Sequence, residues 1–150
     1  MRSKDSSAKK EIDRVCKIFF KTFCNKNGEK PSIHRLKGLF IKNAVIIKNS
    51  GSSPEIYDVA GFIAPRKKIL TDGTLTDFEE YELSERTDIF GTIAQRFSVY
   101  QKKGVQNGIS FQAKGVKTIQ FVKTRNGWKI SSLAWDDERD GLLIPKKYGK

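Results

Sequence analysis

Apolar residues recur at spacings of three and four through Ile12, Val15, Cys16, Phe19, Phe20, Phe23 and Cys24, which predicts an amphipathic helix with a wide buried face, ended by Asn25 to Gly28. Pro31-Ser32 starts a shorter helix, with Ser32 as its cap and Ile33, Leu36, Leu39 and Phe40 on its buried side. Ala44 to Ile47 reads as a buried strand. After the turn cluster Asn49 to Pro54, Asp58 caps a third helical segment through Val59, Phe62, Ile63, Ile69 and Leu70. Pro65 should kink or restart that segment, because it cannot donate to the residue four back, and Asp72-Gly73 closes it.

From Thr76 to Tyr100 the period changes to two. Tyr81, Leu83, Ile89, Ile93, Phe97 and Val99 share one parity, and Glu80, Glu82, Ser84, Arg86, Arg96, Ser98 and Tyr100 share the other. A turn near Phe90-Gly91-Thr92 divides this stretch into two strands. The chain turns again between Lys103-Gly104 and Asn107-Gly108 into a strand reaching Thr124, and Arg125-Asn126-Gly127 turns it into a last strand from Trp128 to Asp136. Helices followed by an antiparallel meander define an α+β fold.

The chain has 150 residues, a length suited to one domain, here with a disordered tail at 1–9 and a C-terminal extension at 137–150. Its 37% hydrophobic and 31% charged residues are globular values, and no apolar run approaches the ~18 residues of a membrane span. The N-terminus carries positive charge without the apolar segment a secretory signal needs, as expected of a cytoplasmic protein. Cys16 and Cys24, eight residues apart on one predicted helix, would lie ~12 Å from each other, too far for a disulfide. The net charge of +12 is uneven, about +9 over residues 1–48, −4 over 49–100 and +7 over 101–150. Such a field could draw in nucleic acid or acidic metabolites, but the lysines are scattered rather than gathered in one stripe. General solubility is the plain reading, and nucleic-acid binding an electrostatic alternative.

The element order, with Phe90-Gly-Thr-Ile-Ala94 at the first hairpin and Gly127-Trp-Lys-Ile-Ser131 opening the last strand, resembles the nuclear transport factor two-like superfamily in its SnoaL-like, bacterial branch. The resemblance covers roughly residues 10–137. It implies a cystatin-like cone, in which a strongly curved, mainly antiparallel sheet wraps around three N-terminal helices and encloses a pocket. It also implies that Ala94 points inward, which by alternation turns Arg96, Ser98 and Tyr100 inward and leaves Ile93, Phe97 and Val99 as an apolar outer row for a homodimer.

With a turn at Gly91, Glu82 stands opposite Tyr100 and Ser84 opposite Ser98. Arg96 could then fork onto a ligand carboxylate or phosphate. The expected ligand-binding residues are Phe20, Phe62, Arg66, Glu82, Arg96, Ser98, Tyr100 and Trp135, with Arg66 at the mouth in the run Arg66-Lys67-Lys68. The expected function is binding of a small, partly apolar, anionic ligand, without a cofactor. The alternatives are a cofactor-free isomerase, dehydratase or cyclase, with Glu82 or Asp136 as base and Tyr100 or Arg96 stabilising negative charge, and an interaction module dimerising through the outer face. Asp136 could equally hold Arg66 or Arg139, and the single histidine, His34, reads as an ordinary surface residue. One histidine leaves no three-histidine metal site.

Overall fold

Helix α1 runs from Ser3 to Lys21 and packs Ile12, Val15, Cys16, Phe19 and Phe20 into the core. The computed structural model describes residues 3–149, so Met1 and Arg2 of the expected tail lie outside the described residues, while the rest of 1–9 is helical rather than disordered. The extra turns are held from both sides: Ala8 packs on the core, and Lys9 bridges Asp13 one turn on, at 2.9 Å, and Glu85 of the sheet, at 2.8 Å. The helix stops at Lys21, so Cys24 lies beyond it, and both cysteines are free thiols.

Asn25, expected only to end the helix, is a buried clamp. Its amide donates to the carbonyls of Leu70 and Leu75 at 2.9 and 2.7 Å, its carbonyl oxygen accepts from the Phe78 backbone at 2.8 Å, and its own N–H donates to Phe78 at 3.1 Å. One side chain thus ties the end of α1 to two later parts of the chain.

The second helical segment takes the 3-10 form, in two turns at Ile33–Arg35 and Lys37–Leu39, and the Ser32 side chain caps neither of them. The spacing explains the choice. Ile33, Leu36 and Leu39 fall every third residue, and at three residues per turn all three point the same way and are buried. Phe40 belongs to the first strand, β1 (Phe40–Lys48), which is longer than expected and is flanked by an unanticipated edge strand, β2 (Glu55–Tyr57). Helix α2 (Val59–Thr71) starts as expected, with the Asp58 carboxylate accepting from the Gly61 N–H at 2.7 Å, and it continues through Pro65.

Strands β3 (Leu75–Phe90), β4 (Ile93–Gln106), β5 (Ile109–Thr124) and β6 (Gly127–Asp137) form the antiparallel meander, and β1 joins it parallel to β6, giving the order β2-β1-β6-β5-β4-β3. Lys103 and Gly104 continue β4 instead of turning, and Asn107-Gly108 alone makes the hairpin, both residues at positive φ.

Bulges set the faces of this sheet. One at Leu83 leaves Glu82 opposite Tyr100 as expected but moves Ser84 opposite Val99 and Glu85 opposite Ser98. Glu80, Glu82, Glu85 and Thr87 therefore all turn inward, while Ser84 and Arg86 turn out. A second bulge at Ser131 keeps both Ile130 and Leu133 in the core.

The inner face of β4 carries Ala94, Arg96, Ser98 and Tyr100, all buried. Its outer row is only partly open. Val99 is 1% exposed, and Tyr148 of the C-terminal extension stacks on Phe97 with ring centres 4.3 Å apart, leaving Phe90 and Ile93 as the exposed apolar pair at that end of the sheet. The extension thus folds back on the face expected to pair two subunits, anchored by the Ser84 hydroxyl donating to the Tyr148 carbonyl. Among the described residues no helix is long and apolar enough to cross a membrane.

Candidate functional site

Two sets of inward charges occupy the concave side. The first surrounds Arg96, whose side chain is 3% exposed. It forks onto Glu82, through Nε at 3.1 Å and a terminal nitrogen at 2.5 Å, and its other terminal nitrogen donates to Asp13 at 2.7 Å and Thr87 at 3.2 Å. Ser98 donates to the same Glu82 carboxylate at 2.5 Å. Four of the five guanidinium N–H donors are taken. Arg96, expected to grip a ligand anion, grips Glu82 instead, and Glu82, expected as a base, is held as the counter-ion. Burial works against the Asp13 charge, but the Arg96 and Lys9 hydrogen bonds outweigh it and hold this carboxyl below its ordinary value. Burial pushes the adjacent Cys16 thiol up to about 12, so it stays protonated. Between this cluster and the outer edge of α1 runs an open groove of about 810 Å³, lined by Phe20, Lys17, Lys21, Arg35, Glu79 and Tyr81 among others.

The second set lines a cavity of about 240 Å³ between α1, α2 and the sheet. Its walls are aromatic: Phe19 and Phe23 from α1, Phe62 from α2, Phe78 from β3, Phe111 from β5 and Trp135 from β6. Its charged lining is Lys48, Arg66, Lys102 and Lys117 against the single carboxylate of Glu80. Tyr100 lies under it, its ring passing over Gly115, where a Cβ would come within 2.6 Å of the Asp136 carbonyl and collide with the ring. The Tyr100 hydroxyl donates to Asp137, and burial together with that bond raises its pKa, so it stays neutral. Lys102 completes this trio at 3.1 Å from Asp137.

Lys117 went unremarked among the many lysines, yet it is the most enclosed. It is 5% exposed, ion-paired with Glu80 at 2.9 Å, and its Nζ sits 4.0 Å from the Tyr100 ring centre and 5.0 Å from that of Trp135. A signal existed: Lys117 shares its parity with Phe111, Ile119 and Phe121 on β5, so alternation alone turns it inward. Burial pushes its ammonium below the usual lysine value.

Arg66, expected at the mouth, forms part of the wall. Its guanidinium lies 4.0 Å from the Phe62 ring centre and 5.5 Å from those of Tyr57 and Trp135, and it donates to the Phe62 carbonyl at 3.1 Å. Among the described residues no carboxylate stands within ion-pair distance of it. Burial lowers its pKa, though a guanidinium remains charged at neutral pH.

The remaining expected site residues separate. Phe62 and Trp135 stand with Arg66 at the cavity, their rings 5.8 Å apart. Phe20 and Ser98 are buried, Phe20 with its ring centre 5.9 Å from the Lys117 nitrogen. Asp136, expected as a base, is a correction: strand alternation sends Trp135 and Asp137 inward and Asp136 outward, where it accepts from Arg139 at 2.6 Å. His34 is exposed, and among the described residues no group of three acidic, cysteine or histidine side chains could hold a metal ion.

No protein-family model matches the chain, and no curated protein matches it by sequence. Solved structures do match it. A nuclear transport factor 2-like superfamily protein of Salmonella enterica subsp. enterica serovar Typhimurium str. LT2 is 15% identical, with 90% of this chain and 94% of that one covered and a TM-score of 0.74. The hexachlorocyclohexane dehydrochlorinase LinA-type3 of Novosphingobium barchaimii LL02 is also 15% identical, covering 94% and 97% with a TM-score of 0.74. A protein of Exiguobacterium sibiricum 255-15, assigned to the calcium/calmodulin-dependent kinase II association domains, is 10% identical, covering 97% of both chains with a TM-score of 0.69. At these identities the likeness is one of fold.

Proposed function

From the cone fold of the nuclear transport factor two-like superfamily, we propose that this protein binds a small, partly apolar anion in its aromatic cavity, with Arg66 as the group that takes the negative charge. The observation that carries the reading is Arg66 itself, a half-buried guanidinium stacked on Phe62 and facing Trp135 without a carboxylate partner. Withdrawing a charge from water without pairing it costs several kcal/mol, and an anionic ligand would offset that cost through a two-point fork. Size limits the ligand. At ~30 Å³ per water, 240 Å³ holds about eight waters, which suits a single ring or a short branched acid. Phe62 and Trp135, packed edge to face with ring centres 5.8 Å apart, would form one apolar wall for the rest of it.

Any acid/base activity of the isomerase or dehydratase kind would fall to Glu80, the one carboxylate among the cavity-lining residues, since Glu82 is occupied by Arg96 and Asp136 faces away. A second reading, association of two copies through the outer sheet face, has Phe90 and Ile93 in its favour, 83% and 55% exposed, and a fold neighbour assigned to an association domain.

Calorimetric titration with benzoate and its neutral isostere benzamide tests the main reading. Wild-type protein should bind benzoate at least ~10-fold more tightly than benzamide, a difference of about 1.4 kcal/mol, and Arg66→Met should remove the preference. Equal affinity for acid and amide, or an unchanged preference in the variant, would sink it.

A further inference from the structure

Lys117 is positioned as a nucleophile rather than as a simple counter-ion. Its stem rises from the middle of β5 into a cage of Phe19, Phe20, Tyr100 and Trp135, and its nitrogen lines the same cavity as Arg66, both of them within 5.5 Å of the Trp135 ring centre. An ammonium has three N–H donors, and here one carboxylate, Glu80, stands at 2.9 Å while aromatic faces enclose the rest. A lysine ion-paired in such a place stabilises the fold no better than an apolar residue of similar volume. Desolvation is also the means by which a lysine becomes a nucleophilic amine.

We infer that the cavity takes a small oxo-acid, its carboxylate on Arg66 and its carbonyl carbon at Lys117, and that Lys117 forms an imine with it. This rests on the anion-binding reading above and names its substrate class. Glu80 takes one proton from the ammonium, the freed amine adds to the carbonyl carbon, and one of its N–H protons passes to the former carbonyl oxygen to give a neutral carbinolamine. Glu80 then returns the proton to the resulting hydroxyl, which leaves as water, so that ammonium plus carbonyl become a protonated imine plus water and Glu80 ends as the carboxylate it began as. The direction of the Lys117 pKa, below the ordinary lysine value through burial, favours the first transfer. The ring faces of Tyr100 and Trp135 would then stabilise the imine cation.

The test is reductive trapping. Intact protein is incubated with pyruvate or phenylpyruvate, reduced with borohydride and mapped by peptide mass spectrometry, alone and with excess benzoate. The expected result is one adduct per chain on Lys117, outweighing that on any other lysine by ~10-fold and suppressed by benzoate. Labelling spread over the exposed lysines, no labelling, or a Lys117 adduct that benzoate leaves untouched would overturn the imine. If the imine fails while benzoate still binds, anion binding stands; if benzoate does not bind either, both readings fail. Lys117→Arg should lose the adduct. Should that variant fail to fold, the benzoate competition in wild-type protein carries the test by itself.

Discussion

Arg96 and Arg66 both stand on the concave side of the sheet and both are drawn out of water, but they differ in what meets their charge. Arg96 meets Glu82 through two nitrogens, with Asp13, Thr87 and a more distant Glu85 around it. Arg66 meets three aromatic rings and one backbone carbonyl. A buried charge already forked onto an internal carboxylate belongs to the structure, because a ligand would have to displace internal partners to reach it. A withdrawn charge left without a counter-ion has its strongest interaction still to make, and that marks the place where a ligand gains most.

Removing each arginine should separate these roles. Arg96→Met leaves Glu82 inward-facing without its partner and is expected to cost about 3 kcal/mol or more, read as a lower urea midpoint at unchanged slope. Replacing Glu82 by Leu in the same chain should recover much of that loss, and a loss that persists would mean that Asp13, not Glu82, is the principal partner. Gly115→Ala pushes a methyl group into the Tyr100 ring and the Asp136 carbonyl, for an expected ~1–3 kcal/mol, visible in the same melts; a neutral result would show that the floor of the cavity can shift. Arg66→Met removes a withdrawn charge that has no carboxylate partner and should leave the protein no less stable than wild type while abolishing the benzoate preference, so a large loss of stability would break the comparison.

The smallest effect concerns pH. The carboxyls of Asp13 and Glu85 are both held below their ordinary values of 3.8 and 4.5, since hydrogen bonds from Arg96 and Lys9 to Asp13, and from Lys9 and Thr87 to Glu85, overcome the opposing effect of burial. Groups with depressed folded-state pKa values contribute stability above their unfolded values and lose it as pH falls through the folded ones. The wild-type melting temperature should therefore fall below about pH 4, and Arg96→Met should weaken that dependence. An identical acid profile in the two proteins would show that the cluster contributes little to it.

Most elements were legible in the sequence because they follow from local rules. The spacing of Ile12 to Phe23 gave α1, Asp58 capped α2, and alternation with Asn-Gly and Gly-Thr turns laid out the meander. The errors have local causes too. The three-residue spacing of Ile33, Leu36 and Leu39 fits a 3-10 turn as well as an α-helix, and the tail before Ile12 is held in helix by Lys9 reaching Glu85, a residue far along the chain.

The candidate site was legible only in part. Phe62, Arg66 and Trp135 were named and do stand together at the cavity, whereas Arg96 and Glu82 were read as a ligand grip and are each other's partners. Opposite charges on neighbouring strands look the same in sequence whether they face a ligand or one another. Asp136 was chosen over Asp137 because an acid pair does not reveal which member lies on the inner parity until the strand's register is known.

The sequence by itself determined the order of the main helices and of every strand but β2, the sites of the hairpins, and the shared parity of Ala94, Arg96, Ser98 and Tyr100, because these depend on neighbours two to four residues apart, while the inward direction of that parity was implied by the resemblance. Only the tertiary structure decided which charges are satisfied. The bulge at Leu83 selected the acids that face inward, the fold brought Asp13 to Arg96 and Glu80 to Lys117, and Arg66 was left among rings. Electrostatic pairing is a property of distance in space, and residues 83 or 37 positions apart acquire that distance only when the sheet closes around the helix.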